Sequence, residues 1–179
     1  MNKQEQRQEI RLRLKRLENK DVLSDKIYSS LISLNLLKGK VLIYNSLNSE
    51  VSTNKLVDYY KDKVDLFMPK VVGEDMVFIK VDENTKYSIG AFGIGEPIGK
   101  EYTKDDISFD VCVTPLLGFD KHLNRLGKGK GYYDRFFAKC NCKKMGVAFE
   151  AQKVDSIDAD TFDVKLDMIV TEGNVYANN

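Results

Sequence analysis

The residues best equipped for chemistry lie between 115 and 137, in the stretch PLLGFDKHLNRLGKGKGYYDRFF. Gly127, Gly129 and Gly131 take every second position and lead directly into an expected helix over 131–139. Glycine lets backbone N–H groups come close to a ligand and tolerates positive φ. The first turn of a helix adds N–H donors without intrahelical partners and a partial positive charge. Arg125, Lys128, Lys130 and Arg135 bring formal positive charge to the same segment. This combination suits a phosphate group. The spacing is neither a Walker A loop nor G-x-G-x-x-G. A glycine-rich turn with a solvated basic rim is the alternative that the residues alone leave open.

Tyr132 and Tyr133 open the expected helix. A tyrosine there can stack on a flat heterocycle and offer a hydroxyl. Tyr133, Phe136, Phe137 and Cys140 also recur at i, i+3, i+4 and i+7, the spacing of a core stripe. Asp134 can complement the helix dipole, or hold Mg²⁺ beside phosphates, because magnesium takes oxygen ligands.

The elements that must position these residues can be read from the pattern. Ile10, Leu14 and Leu17 form one apolar stripe of a helix over 3–18 whose other faces are basic, with Lys3 and Arg7 one turn apart. Ser24 is a candidate N-cap for a second helix through about 34. VLIY at 41–44 reads as a strand, and Ser52 or Thr53 can cap a helix carrying Leu56, Val57 and Tyr60. Strands are expected at 64–69, stopped by Pro69, and at 76–81, then a glycine-rich loop over 84–103. FDVCVTP at 109–115 reads as a buried strand, followed by about 16 residues without regular structure; a loop that long in a compact domain is usually functional. Short strands at 145–149 and 168–171 flank an acidic segment. Strands alternating with helices predict an α/β fold, a three-layer α/β/α Rossmann-like domain with a mainly parallel sheet. Ligands of such sheets sit at the carboxyl ends of the strands, here after VLIY and after FDVCV.

The chain has 179 residues and is read as a single domain over 1–179. Lys plus Arg number 28 against 27 Asp plus Glu, a net charge of +1, which disfavours a nucleic-acid-coating protein. No apolar run is long enough to span a membrane and no secretory signal opens the chain, so a cytoplasmic location is expected. Cys112, Cys140 and Cys142 are expected to be reduced thiols.

The block Arg125-Leu126-Gly127-x-Gly129-x-Gly131-Tyr132-Tyr133-Asp134-Arg135, preceded by Pro115 and Phe119-Asp120, resembles the signature of the 5-formyltetrahydrofolate cyclo-ligase (methenyltetrahydrofolate synthetase) family. Lys3-x-x-x-Arg7, Tyr44-Asn-Ser46…Glu50-Val-Ser-Thr53, Glu96-Pro97, Asp110 and Asp167-Met-Ile-Val-Thr171-Glu172 fit the same pattern in order, so the likeness runs nearly end to end.

The resemblance implies an ATP-dependent ligase of folate and one-carbon metabolism. It would cyclise 5-formyltetrahydrofolate to 5,10-methenyltetrahydrofolate with release of ADP and phosphate, using Mg²⁺. The formyl oxygen would take the γ-phosphoryl group and N10 would close the ring. Carried over by position, Lys3, Arg7, Arg125, Leu126, Gly127, Lys128, Gly129, Lys130, Gly131, Tyr132 and Asp134 would bind ATP. Arg125, Lys130 and Tyr132 would be catalytic, Glu50, Tyr132 and Tyr133 would meet the folate, and Asp134 and Asp167 would hold the metal. A carboxylate at Glu50 can accept paired N–H donors from a pterin. The implied partner is this small molecule, with no nucleic acid or membrane, and the implied state is a monomer.

Leu123 stands where the family usually has a turn glycine, which costs about 1 kcal/mol or more if the position needs positive φ. Lys130 replaces a glycine common in bacterial members. Phe162 stands where many members carry His, so no catalytic role is assigned to it, and His122 is read as a loop residue. Two rival readings remain: another phosphometabolite enzyme, such as a sugar-phosphate isomerase that needs no ATP, and an RNA-binding module using the basic helix.

Overall fold

The computed structural model describes residues 1–90 and 93–178. Helix α1 (Lys3–Arg16) opens with a capping box at Asn2: its side chain accepts from the Glu5 amide, and the Glu5 carboxylate accepts from the Asn2 amide, both at 2.9 Å. Helix α2 (Lys20–Leu34) starts before Ser24, with Asn19 left-handed at φ 60° at its N-terminus. Ser24 is therefore not the cap. It is buried, and its hydroxyl accepts from the Ser52 amide at 3.0 Å, tying α2 to the segment ahead of helix α3 (Asn54–Tyr60).

The main sheet contains β1 (Lys40–Ile43), β2 (Asp65–Val72), β3 (Asp75–Val81), β6 (Glu101–Tyr102), β7 (Val111–Thr114), β10 (Lys143–Val147), β11 (Met168–Val170) and β12 (Val175–Ala177). Its order is β12-β11-β10-β7-β1-β2-β3-β6. The run β11-β10-β7-β1-β2 is parallel, and β12, β3 and β6 pair antiparallel at the flanks. This is the expected α/β architecture.

Alternation along the strands divides the core. Val41, Ile43, Leu66, Met68, Val111 and Val113 point to one face and meet Ile10, Leu14, Ile27, Leu31 and Leu56 of the first three helices. Leu42, Phe67 and Cys112 point to the other face, with Phe136 and Phe137 of helix α4 (Tyr132–Phe137). The second helical layer is thus one short helix thickened by loops. The aromatic cluster there is edge-on, with Phe78 and Phe109 rings 5.0 Å apart.

Three expectations change. Pro69 does not stop β2, because β1 pairs only as far as Phe67 and the proline lacks an amide on a side with no partner to receive it. The expected loop over 84–103 contains the hairpin β4 (Lys86–Ile89) and β5 (Gly95–Ile98), then β6; residues 91 and 92 of that loop lie outside the described residues. The long segment after β7 contains a second hairpin, β8 (Gly118–Phe119) with β9 (Arg125–Leu126).

That second hairpin turns around a fully buried carboxylate. Asp120 accepts from the amides of His122 (2.9 Å), Asn124 (3.1 Å) and Ile157 (2.8 Å), and from the Asn124 side chain at 2.9 Å. Leu123 completes the turn at φ 67°, so the position requires the left-handed conformation while its side chain is buried at 1% exposure. Cys112, Cys140 and Cys142 are all free thiols.

Candidate functional site: a cleft at the carboxyl edge of the sheet

A cleft of about 1120 Å³ opens where β1, β2 and β7 end. Its walls include Tyr44 to Glu50 after β1, the end of β2, the segment from Pro115 to Gly131 after β7, the exposed edge of α4, and residues 160–164. Lys3 and Arg7 enter from α1.

The glycine segment is held from both sides. Arg7 Nε donates to the Gly127 carbonyl at 2.8 Å. Arg135 donates to the Lys130 carbonyl at 2.9 Å and to Glu74 at 2.8 Å, which fixes the entry to α4 against the β2–β3 turn. Gly129 and Gly131 take φ of 100° and 71°. A Cβ on Gly131 would lie 2.7 Å from an Arg135 guanidinium nitrogen. Both positions therefore favour glycine. Lys128 and Lys130 are exposed at the rim, and Leu126 is buried behind them.

Arg125 is the buried cation of the site. Its side chain is 8% exposed, its Nε donates to the Pro115 carbonyl at 2.9 Å, and its guanidinium lies 5.2 Å from the Tyr133 ring centre. Burial pulls it below the usual arginine range, against the opposing pull of Asp134, whose carboxylate is 4.0 Å away. An arginine still keeps its charge. Burial also pushes the Tyr133 hydroxyl well above its ordinary value, which keeps it un-ionised at neutral pH. Tyr132 lines the rim, with its hydroxyl donating to Gly73 at 3.1 Å and its ring beside Arg135.

Opposite the glycine loop stands Glu50, whose side chain is 11% exposed. One carboxylate oxygen accepts from the Leu47 amide at 2.7 Å, and the other lies 3.5 Å from the Lys128 ammonium. The turn that presents it is closed by Tyr44, whose buried hydroxyl donates to Val51 at 2.7 Å, and by the Ser46 hydroxyl, which accepts from the Thr53 amide at 3.1 Å.

The structure brings together Lys3, Arg7, Glu50, Arg125, the glycine segment, Lys130, Tyr132, Tyr133 and Asp134. Asp167 lies elsewhere: its carboxylate accepts from the Lys144 amide at 2.7 Å at the start of the β10–β11 ladder, away from the residues lining the cleft. Asp134 keeps a carboxylate at the cleft, with one oxygen accepting weakly from the Val164 amide at 3.3 Å.

Residues 160–163 went unassigned at the sequence level, yet they line the cleft. Lys3 pairs with Asp163 and, at 3.2 Å, with Asp160. Partial burial lowers the Lys3 ammonium, but its bonds to the two carboxylates outweigh that and raise it. The basic helix and the acidic segment after β10 were both visible in the sequence, and their opposite charges were the available signal.

Comparison with known proteins gives a consistent answer. The model of the 5-formyltetrahydrofolate cyclo-ligase family matches residues 1–172. The chain is 33% identical over 159 residues to a probable 5-formyltetrahydrofolate cyclo-ligase of Schizosaccharomyces pombe, covering 79% of this chain and 78% of that protein. It is 31% identical over 150 residues to the 5-formyltetrahydrofolate cyclo-ligase of Mus musculus, covering 74% and 73%. The solved structure of 5,10-methenyltetrahydrofolate synthetase from Aquifex aeolicus matches with a TM-score of 0.84 at 33% identity, over 99% of this chain and 93% of that one. The synthetase of Mycoplasma pneumoniae matches with a TM-score of 0.74 at 28% identity, over 96% and 99%. Family match, fold and ordered motifs agree, and the chain belongs to the 5-formyltetrahydrofolate cyclo-ligase family.

Proposed function

We propose that this chain converts 5-formyltetrahydrofolate to 5,10-methenyltetrahydrofolate with conversion of ATP to ADP and phosphate. The observation that carries the reading is the pairing of two unlike walls in one cleft: a cationic glycine segment faces a nearly buried carboxylate, Glu50, across 3.5 Å at Lys128. One wall suits a polyphosphate and the other suits the paired N–H donors of a pterin.

In the reaction the formyl oxygen attacks the γ-phosphorus and ADP departs. N10 then attacks the formyl carbon and loses its proton, and the former formyl oxygen leaves as part of inorganic phosphate. An amide oxygen is a poor leaving group until it is phosphorylated. The protein's task is to place the two reactants and neutralise phosphate charge. Arg125, fixed by Pro115 and stacked near Tyr133, is the preorganised cation. Lys130 and Arg7 add charge at the rim, and Lys3 adds its own by exchanging Asp160 and Asp163 for phosphate. Tyr133 walls the folate, while Tyr132 contributes its ring and anchors α4 through Gly73.

Asp134, a carboxylate at the cleft beside the glycine segment, is the residue that would hold Mg²⁺ there together with nucleotide phosphates and water, and Asp167 lies outside the cleft. The ion would supply charge neutralisation to the phosphates of the nucleotide. Purified protein given 5-formyltetrahydrofolate and MgATP should develop methenyltetrahydrofolate absorbance with one ADP per product. ADP formation without that product would contradict the reading, as would product formed without ATP.

A further inference from the structure

Lys128 has a position that neither wall explains alone. It sits between Gly127 and Gly129 in the segment read as the phosphate cradle, yet its ammonium pairs with Glu50 on the opposite wall. The pair joins unequal partners: the lysine side chain is 46% exposed, whereas the carboxylate is 11% exposed. The carboxylate's other oxygen is fixed by the Leu47 amide. Glu50 is therefore rigid, and Lys128 is the mobile member, a long flexible stem on a chain flanked by glycines.

We propose that Lys128 couples the two subsites by changing partners. The inference rests on the reading that Glu50 meets the pterin and the glycine segment meets ATP. With the cleft empty, Glu50 holds Lys128 across its mouth and away from the cradle. A pterin whose N–H donors bond Glu50 satisfies that carboxylate and frees the ammonium. Lys128 then turns to the triphosphate, the most highly charged anion the reaction brings to the glycine segment. Folate thus completes the nucleotide site, which ties phosphate positioning to the presence of an acceptor. Linkage requires the nucleotide to tighten folate by the same factor. A half-exposed ion pair is a weak latch, so the coupling falls at the low end of the usual range, about fivefold.

The test measures the affinity of wild-type protein for adenosine 5′-(β,γ-imido)triphosphate, in magnesium buffer, with and without saturating 5-formyltetrahydrofolate. The wild type should bind the analogue about fivefold more tightly with folate. Lys128→Met should bring that ratio close to one, while Lys128→Arg should retain a ratio above one. Glu50→Gln keeps an oxygen for the Leu47 amide but releases Lys128, so it should tighten the analogue in the absence of folate. A merely structural role for Glu50 predicts weakening instead. A wild-type ratio of one overturns the exchange of partners, as does a Lys128→Met ratio equal to wild type or a Glu50→Gln protein that binds the analogue no better without folate. Absence of analogue binding in every protein and condition overturns the nucleotide reading itself and the coupling with it.

Discussion

Leu123 offers a stability inversion that follows directly from its backbone. The residue combines φ 67° with 1% exposure, in a hairpin turn whose carbonyl also accepts from Leu166 at 3.0 Å. Two terms act at this position. Truncation to alanine removes buried methyl groups from the cluster containing Phe119 and Leu166 and costs about 2–5 kcal/mol. Alanine keeps a Cβ, so it keeps the left-handed penalty of about 1–2 kcal/mol. Glycine gives up the Cβ as well but sheds that penalty, against about 0.5–1 kcal/mol for the lost Cβ and the extra unfolded-chain entropy together. Leu123→Gly should therefore be more stable than Leu123→Ala by about 0.5–1 kcal/mol, although both fall below wild type. In a chain of this size that difference is about 1–4 °C in Tm. At a right-handed position the order would be reversed. Denaturant titration of both variants checks it. Leu123→Ala equal to or above Leu123→Gly would show that the turn relaxes out of its positive φ and that the strain argument is wrong.

Gly129→Asp should weaken binding of the ATP analogue about 30-fold or more, beyond the backbone strain of about 1–2 kcal/mol that its φ of 100° imposes on any side chain and that Gly129→Ala shares as the control. A Cβ there meets only the Arg7 guanidinium at 3.7–3.8 Å, but the new charge opposes a phosphate at a cost of about 2 kcal/mol or more; isothermal titration with a parallel thermal melt separates the two effects. Asp160 is held below its ordinary carboxylate value by the Phe162 amide and by Lys3. Its folded value lies under its unfolded one, so its contribution is complete above about pH 3.8 and is lost as the pH falls through the folded value. Denaturation of wild type and Lys3→Met should therefore converge below that pH, and a constant gap would contradict the pairing. Cys140 is drawn down by its hydrogen bond with Cys142, whereas burial pushes Cys112 up to about 12. Brief iodoacetamide treatment at neutral pH should alkylate Cys140 first, as read by peptide mass spectrometry.

The chemistry was more legible in the sequence than the scaffold around it. The glycine block and Tyr132–Asp134 could be placed because their types and spacing answer to ligand chemistry, whereas Glu50 was reached only through the family resemblance; all of them line the cleft. The central strands were legible for a different reason: strands buried on both faces read as short apolar runs. Helix α2 was misplaced at its start because Ser24 is a good capping residue by type, and only tertiary packing assigns it to Ser52. The hairpins β4–β5 and β8–β9 lacked strong signals, since their strands are only two to four residues long, too short for a period to stand out even where Tyr87 and Ile89 alternate with polar residues. Asp167 was drawn to the site by resemblance, and its contact with the Lys144 amide depends on a β10–β11 pairing that local sequence does not disclose.

The most direct test of the account follows one oxygen atom. 5-Formyltetrahydrofolate carrying oxygen-18 in its formyl group is turned over with unlabelled MgATP, and the released phosphate is examined by mass spectrometry. Transfer of the formyl oxygen to the γ-phosphorus predicts one labelled oxygen in each phosphate formed with methenyl product. Unlabelled phosphate, with the label appearing in water, would show that ATP is cleaved without phosphorylating the substrate and would contradict the mechanism assigned to the cleft.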